Sequence, residues 1–126
     1  MEISFWFQDF LVFLFVYIIC IPNMYNNNIT YFSQISLIMQ KYLAEFFGTC
    51  FFLYIILVTG NAIAIGAALA IVITIIGPIS GGYINPAVTF AMAYTNQIDV
   101  KEILPYCLAQ ILGALTAVEL TKIVSL

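Results

Sequence analysis

The sequence predicts an all-α membrane protein: three transmembrane helices plus a re-entrant half-helix, with an additional N-terminal hydrophobic helix. Three observations carry this. The 126 residues are 64% hydrophobic and 7% charged, with mean hydropathy +1.11. Soluble domains carry about 25% charged residues, and so few charges cannot cover a surface in water. Apolar runs of roughly span length recur along the chain. Between two of them lies a polar turn, Ser80 to Thr89, "SGGYINPAVT", which opens a helix too short to cross a bilayer.

The first apolar run is Ile3 to Ile21, "ISFWFQDFLVFLFVYIICI", close to the ~20 residues a spanning helix needs. Asp9 inside it costs a few kcal/mol on insertion scales. Its start carries no Lys or Arg and no small-residue cleavage site follows, which argues against a signal peptide. Pro22 to Lys41, with its Asn run, reads as a linker ending in a short interfacial helix. Asn28-Ile29-Thr30 fits the glycosylation sequon, a weak signal in an Asn-rich stretch. The second span is expected over about Tyr42 to Thr59 and the third over about Ala62 to Ile79. Only Gly60 and Asn61 separate them, so some apolar residues should be surrendered to the turn. The last span is expected over about Lys101 to Val124, with Pro105 in its opening turns, where a missing N–H costs little.

Small residues recur four apart on each of these three spans: Ala44 and Gly48; Ala62, Gly66 and Ala70; Ala109, Gly113 and Ala117. Such spacing lets helix backbones approach closely in lipid, where van der Waals contact drives association. All three series are therefore expected to pack helix on helix.

Several function classes fall away. A net charge of −3 from 3 basic and 6 acidic residues gives no basic surface for a nucleic acid. There is no His, and Cys20, Cys50 and Cys107 are scattered in apolar runs, where they read as small apolar fillers. No metal cluster, cofactor motif or nucleophile–base pair is visible, so an enzyme is the least favoured class.

The polar turn is different. Non-helical backbone at membrane depth is tolerated only where protein buries it or water bathes it. Gly81 and Gly82 permit an extended, closely approached backbone with carbonyls free to face a cavity. Asn85 is a good N-cap and Pro86 is pre-set for the first helical position. Pro86 to Tyr94 would then be a helix of roughly 14 Å, half a bilayer. Its N-terminus carries roughly half a positive charge, which repels cations and offers N–H donors to a neutral polar solute.

"SGGYINPAVTFAMA" resembles the first Asn-Pro-Ala loop of the major intrinsic proteins, the aquaporin and aquaglyceroporin family. "AEFFGT" at Ala44 to Thr49 resembles the first span of that family, and "YCLAQILGA" at Tyr106 to Ala114 resembles its third. The motifs occur in family order over about Gln40 to Leu126, roughly two thirds of the chain. The resemblance divides the chain into an N-terminal hydrophobic segment and linker, 1–40, and an aquaporin-like first repeat, 41–126. It implies that Asn85 donates its side-chain amide to the passing solute and that Pro86 and Ala87 complete the signature. The carbonyls of Gly81, Gly82 and Tyr83 would line the pore. Glu45 would be buried and hold the loop by accepting backbone N–H bonds; a buried carboxylate in lipid is expensive unless partnered. Gln110 would support the loop from the third family span, through an interhelical hydrogen bond or a pore contact.

The chain also departs from the family pattern. Tyr83 stands where members usually have His, which removes any proton-sensing role there. The second family span is shorter than usual by about six residues, or roughly 9 Å of helix, and local motif aligns its aromatic filter position with Ile71. The family is built from two inverted repeats; this sequence holds one, without a second Asn-Pro-Ala loop or the filter arginine that follows it. The implied activity is channel transport of water or small uncharged solutes across a lipid bilayer, requiring self-association or a second repeat. The alternative is a non-conducting truncated or accessory membrane protein of the same family. Lys41 and Lys101 fall on one side of the membrane and Lys122 on the other, so the positive-inside bias places the first two, and the turn, at the cytoplasmic face.

Overall fold

A computed structural model describes residues 29–124, with side chains from residue 37 onward. The expected N-terminal helix over Ile3 to Ile21, Cys20 and the first part of the linker, 22–28 with the Asn run, lie outside the described residues. Gln40–Leu126 form a compact unit, which is all-helical across its described residues. Four α-helices follow in order: α1 (Ile29–Thr59), α2 (Ala62–Ser80), the short α3 (Pro86–Tyr94) and α4 (Ile103–Val124). Among the described residues, three stretches are long and apolar enough to cross a membrane: Leu37–Thr59, Ala62–Ser80 and Val100–Val124.

Two local expectations are corrected. The linker was expected to run to Lys41, yet α1 is continuous from Ile29 through the span. The reason is compositional: Ile29 to Thr59 contains no proline and a single glycine, so nothing stops the helix once it starts. The α1–α2 connection also takes no apolar residues from either span. Gly60 ends α1 in the left-handed region (φ +56°). The side chain of Asn61 caps α2 at once, accepting from Ile63 N–H at 2.9 Å and Ala64 N–H at 3.1 Å. A left-handed glycine followed directly by an N-cap makes two residues sufficient.

α3 spans nine residues, about 14 Å. It leads through a loop to a 3-10 turn, Val100–Glu102, capped by Asp99, whose side chain accepts from Lys101 N–H at 2.9 Å. α4 begins directly after it, and Pro105 falls in its first turn, where no intrahelical N–H is lost.

Packing uses two of the three small-residue series. At Gly48 an added Cβ would lie 2.6 Å from Ile76 Cδ1 and 3.0 Å from Val72 Cγ1, so α1 and α2 meet there. At Gly113 it would meet the Phe46 carbonyl oxygen and, at 3.2 Å, Cys50 N, so α4 lies against the α1 backbone. Ala117, one turn on, is fully buried. The third series does not pack as expected. Ala62, Gly66 and Ala70 are exposed, and Gly66 has nothing within 4 Å among the described residues. Val72, Ile76 and Ile84 form the core, flanked by Ala44, Phe52 and Leu69. Cys50 and Cys107 are free thiols. Leu104, Leu108, Ile111 and Leu115 face outward along α4, which is ordinary where lipid is the solvent.

Gly113→Ala should therefore destabilise the bundle by about 1–3 kcal/mol, because backbone atoms cannot yield as a side chain can. Gly66→Ala should be neutral or stabilise by up to about 1 kcal/mol. Thermal unfolding in detergent checks the pair; equal melting temperatures for the two variants would contradict this packing.

Candidate functional site

The chain from Gly81 to Asn85 joins two helices without regular structure of its own, so its polar groups need partners elsewhere. Glu45 supplies them. It is fully buried on α1. Its Oε1 accepts from Ser80 Oγ at 2.6 Å and from Tyr83 N–H at 3.0 Å. Its Oε2 accepts from Ile84 N–H at 2.6 Å and from Gln110 Nε2 at 2.9 Å. Four donors thus converge on one carboxyl group, which offsets the loss of water around it.

The backbone of the turn is left-handed at three positions: Gly81 (φ +94°), Gly82 (φ +65°) and Ile84 (φ +40°). The two glycines were expected to be extended. They instead curl the chain, and Gly81 closes α2 by donating its N–H to Gly77 O at 2.9 Å. Ile84 is the unusual case, since a β-branched residue at positive φ is strained. It is held at both ends: the side chain is 4% exposed within the core, and the amide is bonded to Glu45.

α3 starts as its sequence suggests. Asn85 is the N-cap, its Oδ1 accepting from Ala87 N–H at 2.8 Å, and Pro86 is the first helical residue. Asn85 is exposed, and its Nδ2 donates to no group among the described residues. The carbonyls of Gly81, Gly82 and Tyr83 likewise accept no hydrogen bond among the described residues. Ala87 is exposed and Pro86 and Tyr83 are half-buried. Burial first, and the Glu45 charge second, push the Tyr83 phenol above the ordinary tyrosine range.

Gln110 is 1% exposed. Besides Glu45, its amide meets Thr89 on α3, with Nε2 2.9 Å from Thr89 Oγ1. Gln110 thus joins α4, α1 and α3. Sequence reasoning alone misses Ser80 and Thr89 as site residues. Both lay in the quoted stretch, and a hydroxyl four residues after the cap, on a short apolar helix, was the available signal. Thr49, one turn after Glu45, has a buried hydroxyl with no partner among the described residues. Ile71, the aligned filter position, is exposed on α2.

The model of the major intrinsic protein family matches residues 31–126. The chain belongs to the major intrinsic protein family. As a member it is a multi-pass integral membrane protein, in keeping with its three span-length apolar helices. It is 42% identical to glycerol uptake facilitator protein-like 6 of Lactiplantibacillus plantarum over 88 residues, which cover 63% of this chain and 41% of that protein. Aquaporin Z of Rhodopseudomonas palustris is 34% identical over 101 residues, 68% of this chain and 42% of its own. Lens fiber major intrinsic protein of Gallus gallus is 47% identical over 58 residues, 46% of this chain and 22% of its own. The chain therefore spans between about a fifth and just over two fifths of the length of these relatives.

Within this member of the family, Glu45→Gln should be tolerated better than Glu45→Leu. Gln keeps one acceptor oxygen, and Gln110 can turn its amide to meet the new NH2. Leu leaves the Tyr83 and Ile84 amides unmet, each costing about 1–3 kcal/mol when buried, while Ser80 Oγ keeps Ile76 O and Gln110 Nε2 keeps Thr89 Oγ1. Equal folded yields of the two variants in detergent would contradict the assigned contacts.

Proposed function

We propose that residues 41–126 form half the wall of a channel for passive movement of water or small uncharged solutes, with residues 1–40 as an appended membrane segment. The observation that supports this best is Asn85. Its side-chain oxygen caps α3, while its exposed Nδ2 has no partner among the described residues. A capped helix start with a spare donor can bond a passing water or alcohol, and the positive end of α3 repels cations.

The turn around it adds a second support. Lipid cannot satisfy the unbonded carbonyls of Gly81, Gly82 and Tyr83. Their cover must be water or other protein, which fits a re-entrant half-helix lining an aqueous path. One such half cannot enclose a path. Conduction needs a second repeat, from another copy of this chain or from further protein. Relatives named as aquaporins and as glycerol uptake facilitators both match, so water and glycerol are both candidate solutes.

The open series Ala62, Gly66 and Ala70 supports a second reading, in which the chain packs against other membrane helices as a non-conducting partner. Stopped-flow shrinkage of liposomes holding the purified protein separates the two. The channel reading expects water permeability above that of empty liposomes. It also expects Asn85→Ala to lower it while costing about 1 kcal/mol from the lost cap. Permeability that is present in the parent and unchanged in Asn85→Ala would refute the role of Asn85.

A further inference from the structure

Ser80 ends α2, and its carbonyl is one of the helix C-terminal oxygens that have no intrahelical partner. Tyr106 on α4 supplies one: its hydroxyl donates to Ser80 O at 2.7 Å, and the residue is 3% exposed. The N–H of the same Ser80–Gly81 peptide unit donates to Gly77 O at 2.9 Å. Both faces of the first peptide of the turn are thus fixed, one of them by a side chain from another helix.

Tyr106 is itself braced. Tyr42 meets its ring edge-on, with centroids 5.5 Å apart at 88°. Tyr83, from the turn, lies against it at 5.6 Å and 36°. Glu102 Oε2 accepts from Tyr42 OH at 2.7 Å and pairs with Lys41 Nζ at 2.7 Å. Lys41 Nζ also stands 5.1 Å from the centre of the Tyr42 ring and 5.9 Å from that of Tyr106. The cluster joins the first half of α1 to the 3-10 turn and the start of α4, and it points the Tyr106 hydroxyl at the turn. A purely space-filling aromatic would need neither the hydroxyl contact nor this ion-paired backing.

We propose that Tyr106 is a positioning residue: through the Ser80 carbonyl it sets the direction in which the turn leaves α2, and so the placement of the Gly81 to Tyr83 carbonyls. Its part in conduction rests on the channel reading above; its hold on the peptide does not.

The test uses the full chain in lipid vesicles. Ser80–Gly81 is the only Ser-Gly pair in the sequence, so carbonyl-13C serine combined with 15N glycine labels one peptide unit. Solid-state NMR then reads that single carbonyl–nitrogen cross-peak. Tyr106→Phe keeps the ring and removes the donor. The cross-peak should move, and unit water permeability should fall by about fivefold, the factor for one ordinary hydrogen bond. An unmoved cross-peak overturns the proposal. A moved cross-peak with full parental permeability overturns the part in conduction. A parent that does not conduct counts against the channel reading, while the cross-peak still decides the hold on the peptide. Should Tyr106→Phe fail to fold, a fluorinated tyrosine at position 106 replaces it. That side chain is a stronger donor, so the cross-peak must move in the opposite direction to a donor loss, and no movement overturns the proposal.

Discussion

One buried carboxyl group, that of Glu45, organises this half of the molecule. Removing a carboxyl group from water costs several kcal/mol unless hydrogen bonds replace the hydration. Here two backbone amides, a serine hydroxyl and a glutamine amide do so at 2.6–3.0 Å. The constraint acts both ways. Glu45 needs those donors, and in the turn between α2 and α3 the Tyr83 and Ile84 amides find their partner in Glu45, while those of Gly81 and Gly82 bond Gly77 O and Ser80 Oγ. Positive φ at Ile84 is the visible consequence. Strain of this kind costs about 1–3 kcal/mol and persists only when its surroundings over-determine it. The Ile84 side chain in the core and its amide on Glu45 provide that over-determination.

From that anchor the remaining geometry follows. Gln110 shares its amide between Glu45 and Thr89, so the same network that holds the turn also ties α3 to α4. α3 is thereby placed beside a polar turn, with its capped start exposed. Apolar side chains on the outer faces of the helices need nothing from a bilayer. The unbonded carbonyls of the turn need water or protein. That contrast, rather than the number of spans, supports the channel reading proposed above.

Much of the helical framework was legible in the sequence, because apolar runs and caps are local signals. Asn85-Pro86 marked the start of α3, and Tyr94 its end, without long-range information. The Lys41–Glu102 ion pair brings the first half of α1 beside the 3-10 turn that holds Lys101. The misses have physical reasons. The linker boundary was drawn from the Asn run, although no helix breaker follows Ile29. Length alone makes the α1–α2 turn look too tight; the immediate cap by Asn61 after a left-handed Gly60 is what makes two residues enough. Ser80, Thr89 and Tyr106 act across 21 to 35 residues of chain, which no periodicity reveals. A positive φ at Ile84 runs against the preference of its residue type, so only the packed structure displays it. The outward face of Ala62, Gly66 and Ala70 has the same spacing as the two series that do pack, and spacing alone does not say which face meets a neighbour.

The most direct measurement is hydrogen exchange at the Tyr83 and Ile84 amides, followed by NMR in lipid nanodiscs. If both amides are held by the buried Glu45 carboxyl group, they exchange as slowly as amides in the middle of α2, although they lie outside any helix. Exchange at the rate of an open loop at these two positions would contradict the account.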